Sequence, residues 1–472
     1  MKKLFLLLFV LMFFIKNTDC QPIAISPEID TRNDYTFDLL GKIGDRILAF
    51  RKKNKKYILN IYDKTLFRVS EKPVYLGKKN TDIISISTDK DNFTVFYTHK
   101  IKNTMYIKAI KFNETGTKID SATLYKQKQF FSSKPFLSVK SRDKNMILIY
   151  RIINNKEIEF LEFNNGKFKK IYYKILKFKD VKLNNNYHRL TISNKGNIYL
   201  IYEKKPSIFN GTTHKIIINA FYPATKKRKK ISRTLKNYTG DIKIKYDNKN
   251  EVLNIACTVT KLYDTKILGY CVYKFDKNLL LKNNFLHYFK ENLLSDYYKI
   301  EIKKKKKYIK NLFIKDIELR NDGGIVLVFE VKEIIKRKLN NFSYRQEIYS
   351  GDIDYIFGNI IIISIHENGE EYWGKIIPKN QISTNDFGIY SSFYIFKIPS
   401  SLKLLFNDEI KNKNQVIMYS ISPTGDIKRN SIFTTDLYKL NLSFNKAIQI
   451  SNRKLIVPSY KRDKLKLVSV QI

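Results

Sequence analysis

The side chains best suited to chemistry lie late in the chain. Gln381, Asn385 and Asp386 sit in "QISTND", and Asn407 and Asp408 close the later "FND". These five form the candidate ligand-binding set. Asp386 or Asp408 would act as general acid or base beside Gln381 if a glycosidic bond were cut. The competing reading is structural, and the residue types favour it. Short polar side chains satisfy backbone groups in irregular loops and cap turns.

Elsewhere the chemistry thins out. The chain has no P-loop, no G-x-S-x-G elbow, no dinucleotide fingerprint and no H-E-x-x-H. His99, His188, His214, His287 and His366 are scattered singly, without a His or Cys at metal-ligand spacing, so no zinc site is expected. Asp352 and Asp354 in "GDIDY" form an Asp-x-Asp pair outside any EF-hand pattern and read as a solvated turn. No catalytic residue, metal or cofactor is assigned on this basis.

The elements that must position the late residues are strands. From Gly44 onward, apolar and polar residues alternate with period two, rich in Ile, Val, Tyr and Phe. A phrase recurs in "KFNETGTKI", "EFNNGKF", "SIHENGEEYW" and "SISPTGDIK", each a strand, a tight turn ending in Gly, and another strand. Hairpins repeated over this length without alternating helices predict an all-β protein. A β-propeller of about six or seven blades would absorb the length. One short helical insertion is expected in "NFLHYFKENLLSDYY", where Phe285, Phe289 and Leu293 would share a face. The alternative is two consecutive β-domains divided near Lys303 to Lys307.

Residues 1–20 read as a signal peptide: Lys2 and Lys3 precede an apolar run from Leu4 to Ile15, too short to span a bilayer as a helix. Residues 21–472 are then the mature, propeller-like domain, with no transmembrane segment, expected in the periplasm, at the cell surface or secreted. Cys20 offers a lipidation site, although Asn17 stands where a lipobox places Leu. Only Cys257 and Cys271 remain, on two runs that "LYDTK" would fold into a hairpin. They read either as a disulfide or as two buried thiols.

Lys and Arg number 88 against 44 Asp and Glu, a formal net charge of +44. The excess is spread over the whole chain, which favours compositional drift, but its field would still draw anionic polymers. The basic runs "KKRKK" and "KKKKK" read as solvated loops or edge strands.

From Gly44 to Ile472 the chain resembles a family of uncharacterised exported, propeller-like proteins common in the Bacteroidota. The residues that carry the resemblance are "IKDIELRNDGGIVLVFE", "YIFGNIIIISIHENGEEYWGKIIPKNQISTNDFGIYSSF" and "LKLLFND", with Trp373, Pro378, Lys379, Gln381, Gly388, Ser391 and Ser392 at the family's late-module positions. The resemblance implies a propeller and export, and no activity. The expected role is therefore a non-enzymatic binding or scaffold protein at the cell envelope, with an envelope protein or glycan as partner. The alternatives are a hydrolase or lyase acting on an anionic polysaccharide, and electrostatic adhesion to anionic polymers. No specific nucleic-acid motif is present.

Overall fold

A computed structural model describes residues 23–77, 80–128, 134–178, 183, 188–204, 214–235, 238–261, 264–299, 307–337, 351–410 and 415–472. Eight antiparallel sheets follow one another along the chain. Blade 1 spans residues 34–74, blade 2 81–128, blade 3 137–177, blade 4 188–235, blade 5 238–288, blade 6 312–377, blade 7 394–434 and blade 8 448–471. Each is built on a meander of four strands, to which blades 5, 6 and 8 add one short strand, and the fourth strand of blade 8 comes from the other end of the chain. Ile23–Ile25 pairs antiparallel with Val468 to Val470.

Burial explains why the sheets close into a ring. Every apolar cluster in the structure is shared between two neighbouring blades, and the eight clusters together link each blade to the next. The last link joins Ile47, Ala49 and Tyr62 of blade 1 to Ile456, Leu465 and Leu467 of blade 8. The middle strands are therefore buried on both faces and run almost continuously apolar, as in Ile360 to Ile363. The first strands touch each other in succession from blade 8 through blade 1 to blade 6 and line the central channel. The fourth strands lie outermost, and several are basic, as in "KRKKISRTL" over Lys227–Leu235 and "KKIYYKILK" over Lys169–Lys177. Charged outer edges discourage strand pairing with other molecules, which gives part of the positive excess a structural use.

The architecture is all-β as expected, with eight blades instead of six or seven. The count fell short because several inner strands are too short to show alternation: Leu137–Lys140 and Ile448–Ser451 are four residues each. Blade 8 is also assembled from both ends of the chain. The helix is real but shorter than expected, Glu291–Tyr297. Phe285 belongs instead to the outer strand Leu281–Tyr288, yet it packs with Phe289 and Leu293 on one cluster, so the shared face survives. Blades 5 and 6 share one apolar cluster, and Ile309–Lys310, just before blade 6, pairs with the third strand of blade 5. Residues 1–20, Cys20 and residues 303–306 lie outside the described residues.

The recurrent turn glycines have a second use. A Cβ at Gly425, where φ is +89°, would fall 2.7 Å from the Trp373 ring, and one at Gly369 would fall 1.8 Å from Phe285. Each glycine thus seats an aromatic ring from the preceding blade. Trp373 completes the joint by donating its indole N–H to Pro423 O at 2.9 Å.

Candidate binding site in the channel and its mouth

The late module is the connection from blade 6 to blade 7. After Pro378 the chain turns inward, and the short strand Gln381–Thr384 pairs back onto Asp354 to Phe357. Lys379 is fully buried by this turn. Its Nζ lies 3.0 Å from Glu330 Oε1 and donates to Phe357 O at 3.0 Å and Gln381 Oε1 at 3.2 Å. Ser392, at φ +71°, donates its Oγ proton to Glu330 Oε2 at 2.8 Å and accepts from Lys315 Nζ at 2.7 Å. Burial pushes both lysines down, and the Glu330 carboxylate opposes it.

The five candidate residues do not converge on one point. Gln381 is wholly enclosed and uses both ends of its amide: Nε2 donates to Asn407 O at 2.6 Å, and Oε1 accepts from Lys379 and from Ser392 N. Asn385, in the left-handed region at φ +58°, is exposed; its Oδ1 accepts from Ile353 N and its Nδ2 donates to Asp352. Asp408 turns outward to Arg429, 3.0 Å away. Asp386 and Asn407 do meet. Together with Ser383, Thr384, Tyr390 and Asn441 they line a pocket of about 200 Å³ between the connections leading into blades 7 and 8. Asp354 is held by both nitrogens of an Arg337 fork and by Thr384, so the "GDIDY" pair is engaged internally. Among the described residues no group of three or more His, Cys, Asp or Glu is placed to hold a metal.

Deeper in the channel, the inner strand of blade 6 supplies two carboxylates that the sequence reading passed over, Asp316 and Glu318. Lys245 of blade 5 lies 3.1 Å from Asp316 and 3.7 Å from Glu318, and Lys397 of blade 7 lies 2.7 Å from Glu318. Burial pushes both carboxyls up. At Asp316, Lys245, a hydrogen bond from Glu318 and Lys397 outweigh it and hold the group below the usual range; at Glu318, burial and the neighbouring charge of Asp316 prevail, and it is raised.

Blades 1 and 2 present a different wall. A recess of about 550 Å³ opens between their inner strands, floored by Leu39, Ile83 and Tyr57 and edged by Asp38, Lys140 and Lys144. Lys140 reaches from blade 3 across blade 2 to the carbonyl of Ile86, and Lys144 donates to Thr88 Oγ1 at 2.9 Å. Neither forms an ion pair among the described residues. Burial pushes both down, and at Lys140 the nearby Lys144 adds to it. Asp38 is raised by burial in spite of Lys446 and Lys140.

Cys257 and Cys271 stand directly opposite each other on adjacent strands, as the hairpin reading required. Both are buried free thiols, and the Cys257 thiol is pushed up by its hydrogen bond to Cys271 and by burial.

One signal for the missed residues was present. Glu330 interrupts the apolar run Ile325 to Val331, and an acid there needs a buried partner. Lys379 stood out only as a late-module position of the resemblance, and nothing in the sequence distinguished Lys140 or Lys144 from the many other lysines.

No protein-family model matches this chain, and neither does any curated protein. Solved structures similar to it include BamB from Moraxella catarrhalis, at 10% identity and a TM-score of 0.41, over 95% of this chain and 100% of that one. The β-propeller domain of the trilobed protease from Pyrococcus furiosus matches at 12% identity and TM-score 0.38, over 83% and 95%. A protein of unknown function from Bacteroides caccae matches at 11% and 0.30, over 72% and 93%. At this distance these likenesses carry no argument about activity. The eight-bladed ring rests on this chain's own strand pairing and core clusters. No helix among the described residues is long and apolar enough to cross a membrane.

Proposed function

We propose that this chain is a non-enzymatic binding or scaffold protein of the cell envelope whose channel takes an anionic ligand, with an acidic glycan as the ligand class. The observation that carries this reading is the recess between blades 1 and 2. Two exposed ammonium groups, Lys140 and Lys144, share its edge and donate only to neutral oxygens, with the Asp38 carboxylate acting on Lys140 from a distance. A carboxylate or sulfate placed there would add counter-charge that Asp38 alone does not supply to both lysines, while Leu39, Ile83 and Tyr57 offer apolar surface for a sugar ring. The signal-like residues 1–20 support the envelope location.

Calorimetric titration with sulfated and uronic-acid oligosaccharides tests the reading. Binding is expected to favour the charged sugars over neutral ones of the same length and to fall in the double variant Lys140→Gln/Lys144→Gln. A control that neutralises Lys227 and Lys229 on the outer strand of blade 4 separates this site from diffuse adhesion. Equal losses in both variants would replace the site with electrostatic adhesion.

A second reading has one observation in its favour. Asp316 and Glu318 titrate apart, as an acid and base pair does, in a protein whose channel would attract acidic polysaccharide. Their lysine partners argue for a structural lattice instead. Release of unsaturated or reducing ends from an acidic polysaccharide, abolished in Glu318→Gln, would establish the lyase or hydrolase.

A further inference from the structure

The pocket at the late module has the opposite preference. Most of its proton donors are already committed: Ser383 Oγ donates to Asp386 Oδ1 at 2.7 Å, Thr384 Oγ1 to Asp354 at 2.7 Å, and the Tyr390 phenol to Tyr460 O at 3.0 Å, while the Asn441 amide is directed to the Tyr390 phenol. The Asn407 amide is oriented without ambiguity, since its Nδ2 donates to Tyr390 O at 3.0 Å and Leu442 O at 2.8 Å. Its Oδ1 is then a buried acceptor, on a residue only 3% exposed, with no partner among the described residues. Across the pocket, Asp386 uses Oδ1 for Ser383 and for Gly388 N at 2.8 Å, bonds that leave Oδ2 unused.

Open acceptors facing committed donors select a ligand that brings protons. We propose that this pocket binds an organic cation carrying N–H donors, an alkylammonium or alkylguanidinium group. The cation's N–H bonds would go to Asn407 Oδ1 and Asp386 Oδ2, and its alkyl part would lie against Ile410 and Leu442. A single carboxylate is too sparse for a divalent metal, which takes six or more oxygens, whereas about 200 Å³ accommodates a cation of several heavy atoms. The site is separate from the lysine recess and does not depend on that ligand being anionic.

Titration of the full mature chain with butylamine and with methylguanidinium tests the proposal, with tetramethylammonium and calcium as comparators. The N–H cations are expected to bind, and tetramethylammonium, which has no N–H, at least about tenfold more weakly. Asp386→Asn keeps the acceptor that Ser383 and Gly388 use while removing the charge, and is expected to weaken butylamine about tenfold or more. Ser383→Ala, which frees Asp386 Oδ1, is expected to hold or tighten it, and so provides a reading if the first variant does not fold. The proposal is overturned if the mature chain binds neither N–H cation, if tetramethylammonium or calcium binds equally well, or if Asp386→Asn binds butylamine like the unaltered protein.

Discussion

The two sides of the central channel hold similar charges in opposite states. On blades 5 to 7, Lys245 and Lys397 close on Asp316 and Glu318, and behind them Lys379 closes on Glu330. On blades 1 to 3, Lys140 and Lys144 face a 550 Å³ recess without an ion pair among the described residues. A buried charge with its partner in place holds the fold together, and an exposed charge beside open space can meet a partner from outside. The contrast places the proposed ligand at blades 1 and 2 and the scaffold's internal bracing at blades 5 to 7.

The bracing side breaks most severely. Lys379→Met would leave Glu330 buried with only Ser392 and the more distant Lys315, and is expected to cost about 3–5 kcal/mol in urea denaturation. A second change, Glu330→Gln, should recover part of the loss, because the orphaned charge goes with it. A Lys379→Met protein as stable as the parent would show that the network does not brace the seam.

Glu162 offers a third state for comparison, a buried acid with no partner among the described residues. It sits between blades 3 and 4, fully enclosed, with neither carboxylate oxygen hydrogen-bonded, packed against Gly196 and Met146. Burial pushes its carboxyl up to about 8, from 4.5. The folded value lies above the unfolded one, so the unfolded chain sheds this proton first as pH rises. The fold carries no penalty below about pH 4.5 and loses about 1.4 kcal/mol per pH unit up to about pH 8. By pH 7 the loss is about 3 kcal/mol, and Glu162→Gln should remove it and flatten the pH profile. If the variant follows the same profile as the parent, Glu162 is not the group responsible.

The open side is expected to show the smallest free-energy effects and the most specific ones. Lys140→Gln or Lys144→Gln alone should weaken an acidic oligosaccharide about tenfold, with stability unchanged or slightly raised as their mutual repulsion disappears. Each substitution should also flatten the salt dependence of binding. A loss of stability in either variant would place these lysines with the bracing set and erase the distinction.

What the sequence revealed follows from how strongly each feature is repeated. The hairpin turns recur with Gly369 and Gly425 in the same place, so the all-β propeller was legible. Blade number was not, because strands of four residues carry no period and Ile23–Ile25 completes a blade begun some four hundred residues later. At the site, the polar loop stood out by composition, and Asp386 and Asn407 do meet in a pocket. Gln381 misled because a polar side chain in a loop looks the same whether it points to solvent or, as here, ties Lys379 to Ser392 and Asn407. Lys140 and Lys144 were hidden among 88 basic residues; only their position on the channel separates them from the rest.

Lysine modification in the presence of ligand tests the central claim most directly. The mature protein would be treated with a small amine-reactive reagent, with and without an acidic oligosaccharide, and the modified lysines identified by mass spectrometry. The account predicts that Lys140 and Lys144 react in the free protein and are protected by the ligand, while Lys227 and Lys229 on the outer edge react equally in both samples. Protection confined to the outer-edge lysines, with Lys140 and Lys144 unchanged, would contradict it.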